Sequence, residues 1–431
     1  MPRKTKIIFI SVFIILIGTL VGIVIGMRSS SPSSSNTNDG TNGNYQGFNP
    51  FGTGGSNATT GNGQNGGQNG SGGGEVNVTP GAGYTASGFS KITDFAVSGA
   101  TIIDDTRPIP EPEQPADSKN PSKPKFETVP ALRYVERATG HIYEMYLDTK
   151  AVGEISNSTI PSIYEALFDS KGSTVLYRYL SDDDTTIQTY LASLGGSSGE
   201  FLPNNIIDIS LSPDKTKFFY LSETSNGVFG SIRAFNETKK TQVFSSAFTE
   251  WLSQWVGPQK IYLTSKASFA AKGILMSLNT STGTLSKVLG PISGLTTRAN
   301  NVGTFVLYSS SDAAGPSLHV YNTGTRAVQD LGLYGLPEKC AWASDNVTIY
   351  CGIPNNGTGT HFPDVWYQGQ MSFNDSILKI NASTGDITTI ANSENVGTAV
   401  DVTYPFLDKT GTALYFINKK DSTLWSLNLT Q

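Results

Sequence analysis

Cysteine and histidine are almost missing from this chain of 431 residues. It contains two cysteines, Cys340 and Cys351, and three histidines, His141, His319 and His361. Structural and catalytic zinc sites are built largely from cysteine sulfur and histidine nitrogen. We therefore expect no metal site and no cofactor.

Charged residues are scarce too, at 15% of the chain, and the net charge is −5. A protein that binds nucleic acid needs a basic surface that neutralises phosphates. This acidic chain gives no sign of such a surface, so we predict no nucleic-acid partner.

Long apolar runs are rare, and only residues 7–27 form one, with 21 uncharged residues in succession. As a helix this segment is long enough to cross a bilayer. Arg3, Lys4 and Lys6 precede it, which places residues 1–6 in the cytoplasm and everything after the span outside. The run is longer than the core of a cleaved signal peptide, and no A-x-A-like cleavage site follows it. We predict a single-pass signal anchor in the cell membrane, with the rest of the chain in the periplasm or at the cell surface.

Apolar residues are nearly absent from residues 28–88, where Gly, Ser, Asn and Thr dominate. A segment of this composition cannot bury enough apolar surface to offset the entropy of ordering its backbone. We predict a flexible linker. A glycosylated stalk is the alternative, because Asn57, Asn69 and Asn77 each begin an acceptor-type triplet.

Segments with helical spacing are missing from residues 89–431, which instead alternate short β-branched and aromatic runs with turn residues. A tyrosine closes one apolar run in each unit, and successive tyrosines are 42, 43 or 46 residues apart except for a last step of 65. Four-stranded propeller blades repeat every 40–45 residues or so, so seven units follow. The seven tyrosines are Tyr134, Tyr177, Tyr220, Tyr262, Tyr308, Tyr350 and Tyr415.

The turn before the third tyrosine carries a resemblance to a known family. Residues 211–215 read Leu-Ser-Pro-Asp-Lys, and residues 342–346 read Trp-Ala-Ser-Asp-Asn. Both resemble the Trp-Ser-Pro-Asp-Gly turn of TolB-type, WD-repeat-like β-propeller blades. The resemblance implies an all-β, seven-bladed propeller over residues 89–431, and it implies no particular ligand. Because the last unit has only three strands, we expect residues 89–94 to complete it, so that the first and last units share one sheet.

Two insertions interrupt the repeat. Residues 104–130 are rich in Pro and charged residues, and we expect a partly ordered surface loop. Residues 353–374 lie between the second and third strands of unit six and contain His361, Phe362, Asp364, Trp366 and Tyr367. Aromatic side chains on a loop are typical of recognition surfaces, so these five are the candidate binding residues. The alternative is that the aromatics only pack the loop onto the ring.

The two cysteines flank a predicted hairpin around Asp345 and Asn346. With a two-residue turn at that position, Cys340 faces Cys351 across two antiparallel strands. Outside the cytoplasm we expect a disulfide there, and two buried free thiols are the alternative.

No residue set predicts a reaction. Residues 195–199 fit G-x-S-x-G, but a strand rather than a helix follows them, against the nucleophile-elbow pattern. We therefore assign no catalytic residue and expect a binding or scaffolding module for a protein, a peptide or a glycan. The alternative is an envelope hydrolase or lyase that uses the central funnel. Convergent charged groups with shifted pKa values at the funnel mouth favour the enzyme, and an apolar or aromatic rim favours the binding module.

Overall fold

The computed structural model describes residues 88–109, 125–183, 185–195, 199–355 and 359–430. The predicted membrane span at 7–27 and the predicted linker up to residue 87 lie outside these ranges. Within them, no helix has the length and apolar composition needed to span a membrane. The described chain forms 28 strands in seven four-stranded antiparallel sheets, which are the seven predicted blades.

Blades 1 to 6 each run from an innermost strand to an outermost strand in chain order, and in blade 7 the outermost strand is the first strand of the chain. Blade 1 consists of β2 (Val97–Pro108), β3 (Phe126–Glu136), β4 (Ile142–Tyr146) and β5 (Val152–Ser156). Blade 2 consists of β6 (Ile163–Phe168), β7 (Thr174–Leu180), β8 (Ile187–Ser193) and β9 (Gly199–Phe201). Blade 3 consists of β10 (Ile206–Leu211), β11 (Lys217–Thr224), β12 (Gly227–Ala234) and β13 (Lys240–Ser246). Blade 4 consists of β14 (Trp251–Trp255), β15 (Lys260–Ser265), β16 (Lys272–Asn279) and β17 (Leu285–Ser293).

The remaining blades follow the same order. Blade 5 consists of β18 (Thr296–Ala299), β19 (Phe305–Asp312), β20 (Gly315–Asn322) and β21 (Val328–Tyr334). Blade 6 consists of β22 (Cys340–Trp342), β23 (Thr348–Pro354), β24 (Asp375–Asn381) and β25 (Ile387–Ala391). Blade 7 consists of β26 (Val402–Leu407), β27 (Ala413–Asn418), β28 (Leu424–Asn428) and β1 (Phe89–Lys91). Short helices connect some strands, at Pro337–Lys339, Asp364–Tyr367 (α1) and Ser393–Asn395.

The first and last segments of the described chain close the ring, as predicted. β1 pairs antiparallel with β28, with Phe89 opposite Leu427. The Ile92 amide donates to the Leu424 carbonyl at 2.8 Å, and the Leu424 amide donates to the Thr93 hydroxyl at 3.0 Å. The N-terminal strand of the described chain therefore supplies the outermost strand of blade 7, and the other three strands come from its C-terminal end.

The repeated tyrosines all lie in the second strand of their blade and are buried. Their rings fill the space between neighbouring blades, and two hydroxyls reach across it. Tyr177 donates to the Gly140 carbonyl at 3.4 Å, and Tyr262 donates to the Gly303 carbonyl at 2.8 Å. Apolar residues of adjacent blades share these cores, so each blade is completed by its neighbour. One such core, between blades 2 and 3, contains Leu176, Leu191, Ile206, Ile209, Phe218 and Tyr220.

The turn at residues 212–216 is stabilised by its own polar side chains. The Asp214 carboxylate accepts from the Ser212 hydroxyl at 2.6 Å and from the Thr216 amide at 3.1 Å. Lys215 has a φ of 53°, the left-handed region that an Asp-Gly or Asp-Asn sequence usually supplies. The turn therefore serves the hairpin between β10 and β11.

The two faces of the ring differ in which connections they carry. The lower face carries the turns from first to second and from third to fourth strands, and the upper face carries the others. Gly88, next to β1, lies with the lower-face residues Lys150 and Asp408. Residues 104–109 and 125–130 continue β2 and β3 as a longer hairpin on that face, where Arg107 pairs with Glu127. These two paired segments form strands where a partly ordered surface loop was expected.

The two cysteines are opposite each other in the register of β22 and β23, with Cα atoms 4.0 Å apart. Their sulfur atoms form a disulfide. It lies in the core shared by blades 5 and 6, where both residues are inaccessible to water.

Candidate functional site at the upper mouth of the channel

The insertion of blade 6 lies on the upper face, opposite the face where β1 begins. Its short helix α1 places Trp366 towards the ring, and Trp366 and Phe362 are only 4% and 0% exposed. Phe362 stacks against Phe373 with ring centroids 5.6 Å apart, and the two pack with Leu336. These aromatics pack the insertion onto the ring, which is the role that the sequence offered as the alternative to ligand binding.

A buried ion cluster holds the insertion from below. Lys339 donates to Asp375 at 2.7 Å and to Asp401 at 2.5 Å, and all three side chains are inaccessible to water. The Trp366 indole N–H also donates to Asp401, at 3.2 Å. Burial raises the pKa of Asp375 to about 6, although the ammonium of Lys339 opposes this. Lys339 thus pairs with two carboxylates that join blades 6 and 7.

The five predicted binding residues separate into two groups. Trp366 and Tyr367 line the upper mouth of the central channel. Phe362 is buried in the insertion, the exposed His361 ring lies 4.4 Å from Phe269, and Asp364 accepts a hydrogen bond from the Phe269 amide.

The mouth encloses a cavity of about 210 Å³. At about 30 Å³ per water molecule it has room for about seven waters, which is smaller than a typical pocket for a drug-sized ligand. It therefore suits one chemical unit of a larger ligand, or a small molecule. Blades 1, 2, 5, 6 and 7 line it, mainly through Arg137, Tyr164, Arg298, Glu338, Tyr404 and Lys419.

Tyr404 is the most unusual of these side chains. The register of β26 against β27 shifts between Thr403 and Phe406, which is a bulge in an innermost strand. Tyr404 lies in it with a φ of 49° and 62% of its surface exposed. Bulges re-aim side chains, and positive φ at a bulky residue often marks a functional site.

Two polar atoms of the mouth lack a partner within the described part of the chain. They are the Tyr164 hydroxyl and Oε2 of Glu338. The other carboxylate oxygen of Glu338 accepts from the Tyr367 hydroxyl. Burial raises the pKa of Glu338 and raises that of Tyr367 well above its usual value. Buried polar atoms without partners are uncommon in folded proteins, and these two belong to residues that line the cavity, although the atoms themselves are inaccessible to water.

The pKa values of two cations at the mouth are also shifted. Burial lowers the pKa of Arg298 and that of Lys419. The Lys419 ammonium lies 5.0 Å from the centre of the Trp366 ring, in a cation–π contact. Three cations therefore surround a cavity to which Glu338 contributes a carboxyl group with a raised pKa.

Further polar groups lie on the innermost strands of blades 2, 3 and 4. Asp208 accepts from the amide and the hydroxyl of Ser253, both at 2.6 Å, and Arg178 pairs with Glu165. Burial raises the pKa of Asp208 to about 6, against the lowering effect of Ser253 and Arg178. The structure thus combines the aromatic rim expected of a binding module with the convergent charged groups expected of an enzyme.

Sequence reasoning missed Arg137, Arg298, Glu338, Tyr404 and Lys419. One local signal was available, because Pro405 stands within a predicted innermost strand. Proline inside a strand pattern marks a bulge. The other four residues have no such local signal. They come from blades that are far apart in the chain, so only the folded ring brings them together.

Comparisons with known proteins find similarity to solved structures at low sequence identity. No family model matches the chain, and no curated protein sequence matches it. Among solved structures, TolB from Acinetobacter baumannii is similar over 77% of this chain and 80% of its own, with 12% identity and a TM-score of 0.41. The β-propeller domain of Myceliophteria thermophila Cps50 (Swd1) is similar over 70% of this chain and 94% of its own, with 10% identity and a TM-score of 0.45. An oligogalacturonate lyase from Vibrio parahaemolyticus is similar over 78% and 99%, with 8% identity and a TM-score of 0.47.

The chain resembles TolB-type and WD-repeat-like β-propellers. At these identities the likeness concerns the fold alone.

Proposed function

We propose that this protein is a membrane-tethered, extracytoplasmic binding module that takes up a protein, a peptide or a glycan at the upper mouth of its channel. The observation that carries the proposal is the cavity lined by Tyr404 and by three cations from different blades. The exposed Tyr404 ring would supply contact area for a ligand at low entropic cost.

A tether would not need to cover the mouth, because Gly88 lies on the lower face and the mouth lies on the upper face. The disulfide between Cys340 and Cys351 is typical of compartments outside the cytoplasm. Partition of the full-length protein into membranes, lost when residues 7–27 are deleted, would support the anchor, and an unchanged distribution would contradict it.

Affinity capture with the full-length protein tests the binding site. We expect wild type to retain a ligand from the envelope fraction of the source organism, and Tyr404→Ala to lose it. Phe201→Ala is the matched control, since Phe201 is an equally exposed aromatic (60%) on the outermost strand of blade 2. Equal retention by Tyr404→Ala and wild type would refute the mouth as the binding site.

A hydrolase or lyase that works in the channel is the second candidate. Asp208 favours it, because a carboxyl group with a pKa of about 6 is suited to general acid–base work near neutral pH. The test incubates the captured ligand with wild type and with Asp208→Asn and follows its mass. Conversion by wild type alone would support an enzyme, and an intact ligand in both would support the binding module.

A further inference from the structure

The arginines of the described ring differ in whether a carboxylate neutralises them. Four of them form ion pairs that compensate for their burial, and each pair lies in a blade or joins two neighbouring ones. These four are Arg107 with Glu127 and Asp148, Arg133 with Asp105 and Glu144, Arg178 with Glu165, and Arg233 with Glu200.

Arg137 and Arg298 depart from this pattern, and both face the cavity. Among the described residues neither has a carboxylate oxygen within the 4.0 Å of an ion pair. Each makes one long side-chain hydrogen bond of 3.5 Å, Arg137 to the Ser422 hydroxyl and Arg298 to the Pro405 carbonyl. A guanidinium has five N–H donors, so most of those on these two side chains remain open to the cavity.

The backbone holds both arginines in place although their side chains lack charged partners. The Arg137 amide donates to Ala96 at 2.8 Å, and its carbonyl accepts from Ile163 at 3.1 Å. The Arg298 carbonyl accepts from the Trp342 indole at 3.0 Å. Two guanidiniums on anchored backbone segments therefore meet at one mouth, and their planar N–H donors match the geometry of a carboxylate or a phosphate.

Among the described residues, no carboxylate forms an ion pair with either guanidinium. Glu338 lines the cavity and interacts electrostatically with Arg298, but it lies beyond ion-pair distance and its Oε1 accepts from Tyr367. The carboxylates beyond it already have partners, since Glu165 pairs with Arg178 and Asp208 accepts from Ser253. The mouth carries positive charge although the whole chain has a net charge of −5. Solubility depends on the net charge and does not explain this local concentration of cations.

We propose that the mouth binds an anionic ligand, whose carboxylate or phosphate oxygens pair with Arg137 and Arg298. The Tyr404 ring lies against the uncharged part of the ligand. This inference rests on the proposed binding function and narrows it to a chemical class.

The test titrates the full-length protein with succinate, its uncharged analogue succinamide, and inorganic phosphate by isothermal titration calorimetry. We expect one or both anions to bind, more weakly at higher ionic strength, and succinamide to give no heat of binding. Arg298→Met and Arg137→Met should each weaken anion binding at least tenfold. Succinate binding without phosphate binding identifies a carboxylate ligand, and the reverse identifies a phosphate ligand.

Two further variants control for charge and folding. Arg326→Met removes an exposed turn arginine and should bind like wild type, whereas Arg298→Lys keeps the charge and should retain part of the affinity. Failure of both anions to bind wild type, or equal affinity in folded Arg298→Met, would overturn the inference. A ligand that Tyr404→Ala loses but Arg298→Met retains would also overturn it, while leaving the binding function intact.

Discussion

The Trp366 indole N–H donates to both oxygens of the Asp401 carboxylate, at 3.2 Å and 3.3 Å. Trp366 belongs to the insertion of blade 6, and Asp401 directly precedes the innermost strand of blade 7. One hydrogen-bonded pair thus joins the insertion to the closing blade. Because Trp366 also lines the mouth, the shape of the cavity depends on this contact.

Lys339 is the residue on which this junction depends most. Lys339→Met leaves Asp375 and Asp401 buried together without their cation, and breaking a buried ion pair costs about 3–5 kcal/mol. We expect a loss of unfolding free energy of that order in urea denaturation. Lys379→Met, an exposed lysine of the same blade, should change stability by no more than about 0.5 kcal/mol. Similar effects from both substitutions would refute the role of the buried cluster.

Gly99 permits the close approach of blades 1 and 2. A Cβ at this position would lie 2.0 Å from the Ala166 carbonyl oxygen, so Gly99→Ala must push two innermost strands apart. We expect a destabilisation of about 1–3 kcal/mol or more, measured by thermal and urea unfolding. Gly153→Ala is the matched control in an outermost strand, where nothing lies within 4 Å. It should be close to neutral, and an equal loss in both variants would contradict the steric argument.

The disulfide closes a short loop, since its cysteines are 11 residues apart in sequence. A cross-link of this length stabilises a fold by about 3 kcal/mol in the chain-entropy model. We expect wild type to lose stability of that order when urea unfolding is repeated with dithiothreitol. The Cys340→Ala, Cys351→Ala double variant should be insensitive to dithiothreitol, and an unaffected wild type would show that the cross-link does not contribute.

Asp208 should make stability depend on pH. Its pKa is raised from 3.8 to about 6 by burial, so the native state holds this proton more tightly than the unfolded chain. The resulting stabilisation is present below pH 4 and is lost as the pH rises through 6. At about 1.4 kcal/mol per pKa unit, the loss is at most about 3 kcal/mol. Asp208→Asn should therefore gain stability relative to wild type between pH 4 and pH 7, and a constant difference across that range would contradict the assigned pKa.

The number of blades could be predicted from the sequence because each blade uses the same local chemistry. A tyrosine in every second strand fills the space beside the neighbouring blade, so its spacing counts the blades. The incomplete last unit and the strand-like residues after Gly88 likewise predicted the closure of the ring. The hairpin around Asp345 fixed which residues face each other, which brought Cys340 opposite Cys351.

The site was only partly predictable. The insertion was found where the repeat is interrupted, and Trp366 and Tyr367 do line the mouth, but composition could not show that Phe362 packs inward. That depends on Leu336 and Phe373, which share its cluster. The bulge that turns Tyr404 into the channel was indicated only by Pro405.

The sequence by itself determined the repeat, and with it the strands, the seven blades and their closure, because those depend on contacts within one unit and with the next. Only the tertiary structure decided which side chains share the mouth. Arg137 and Arg298 belong to blades 1 and 5 and meet at one cavity because the ring brings the inner ends of all blades to a common axis. Whether a carboxylate pairs with either arginine depends on which residues lie nearby in the folded ring, and the sequence alone does not specify those neighbours.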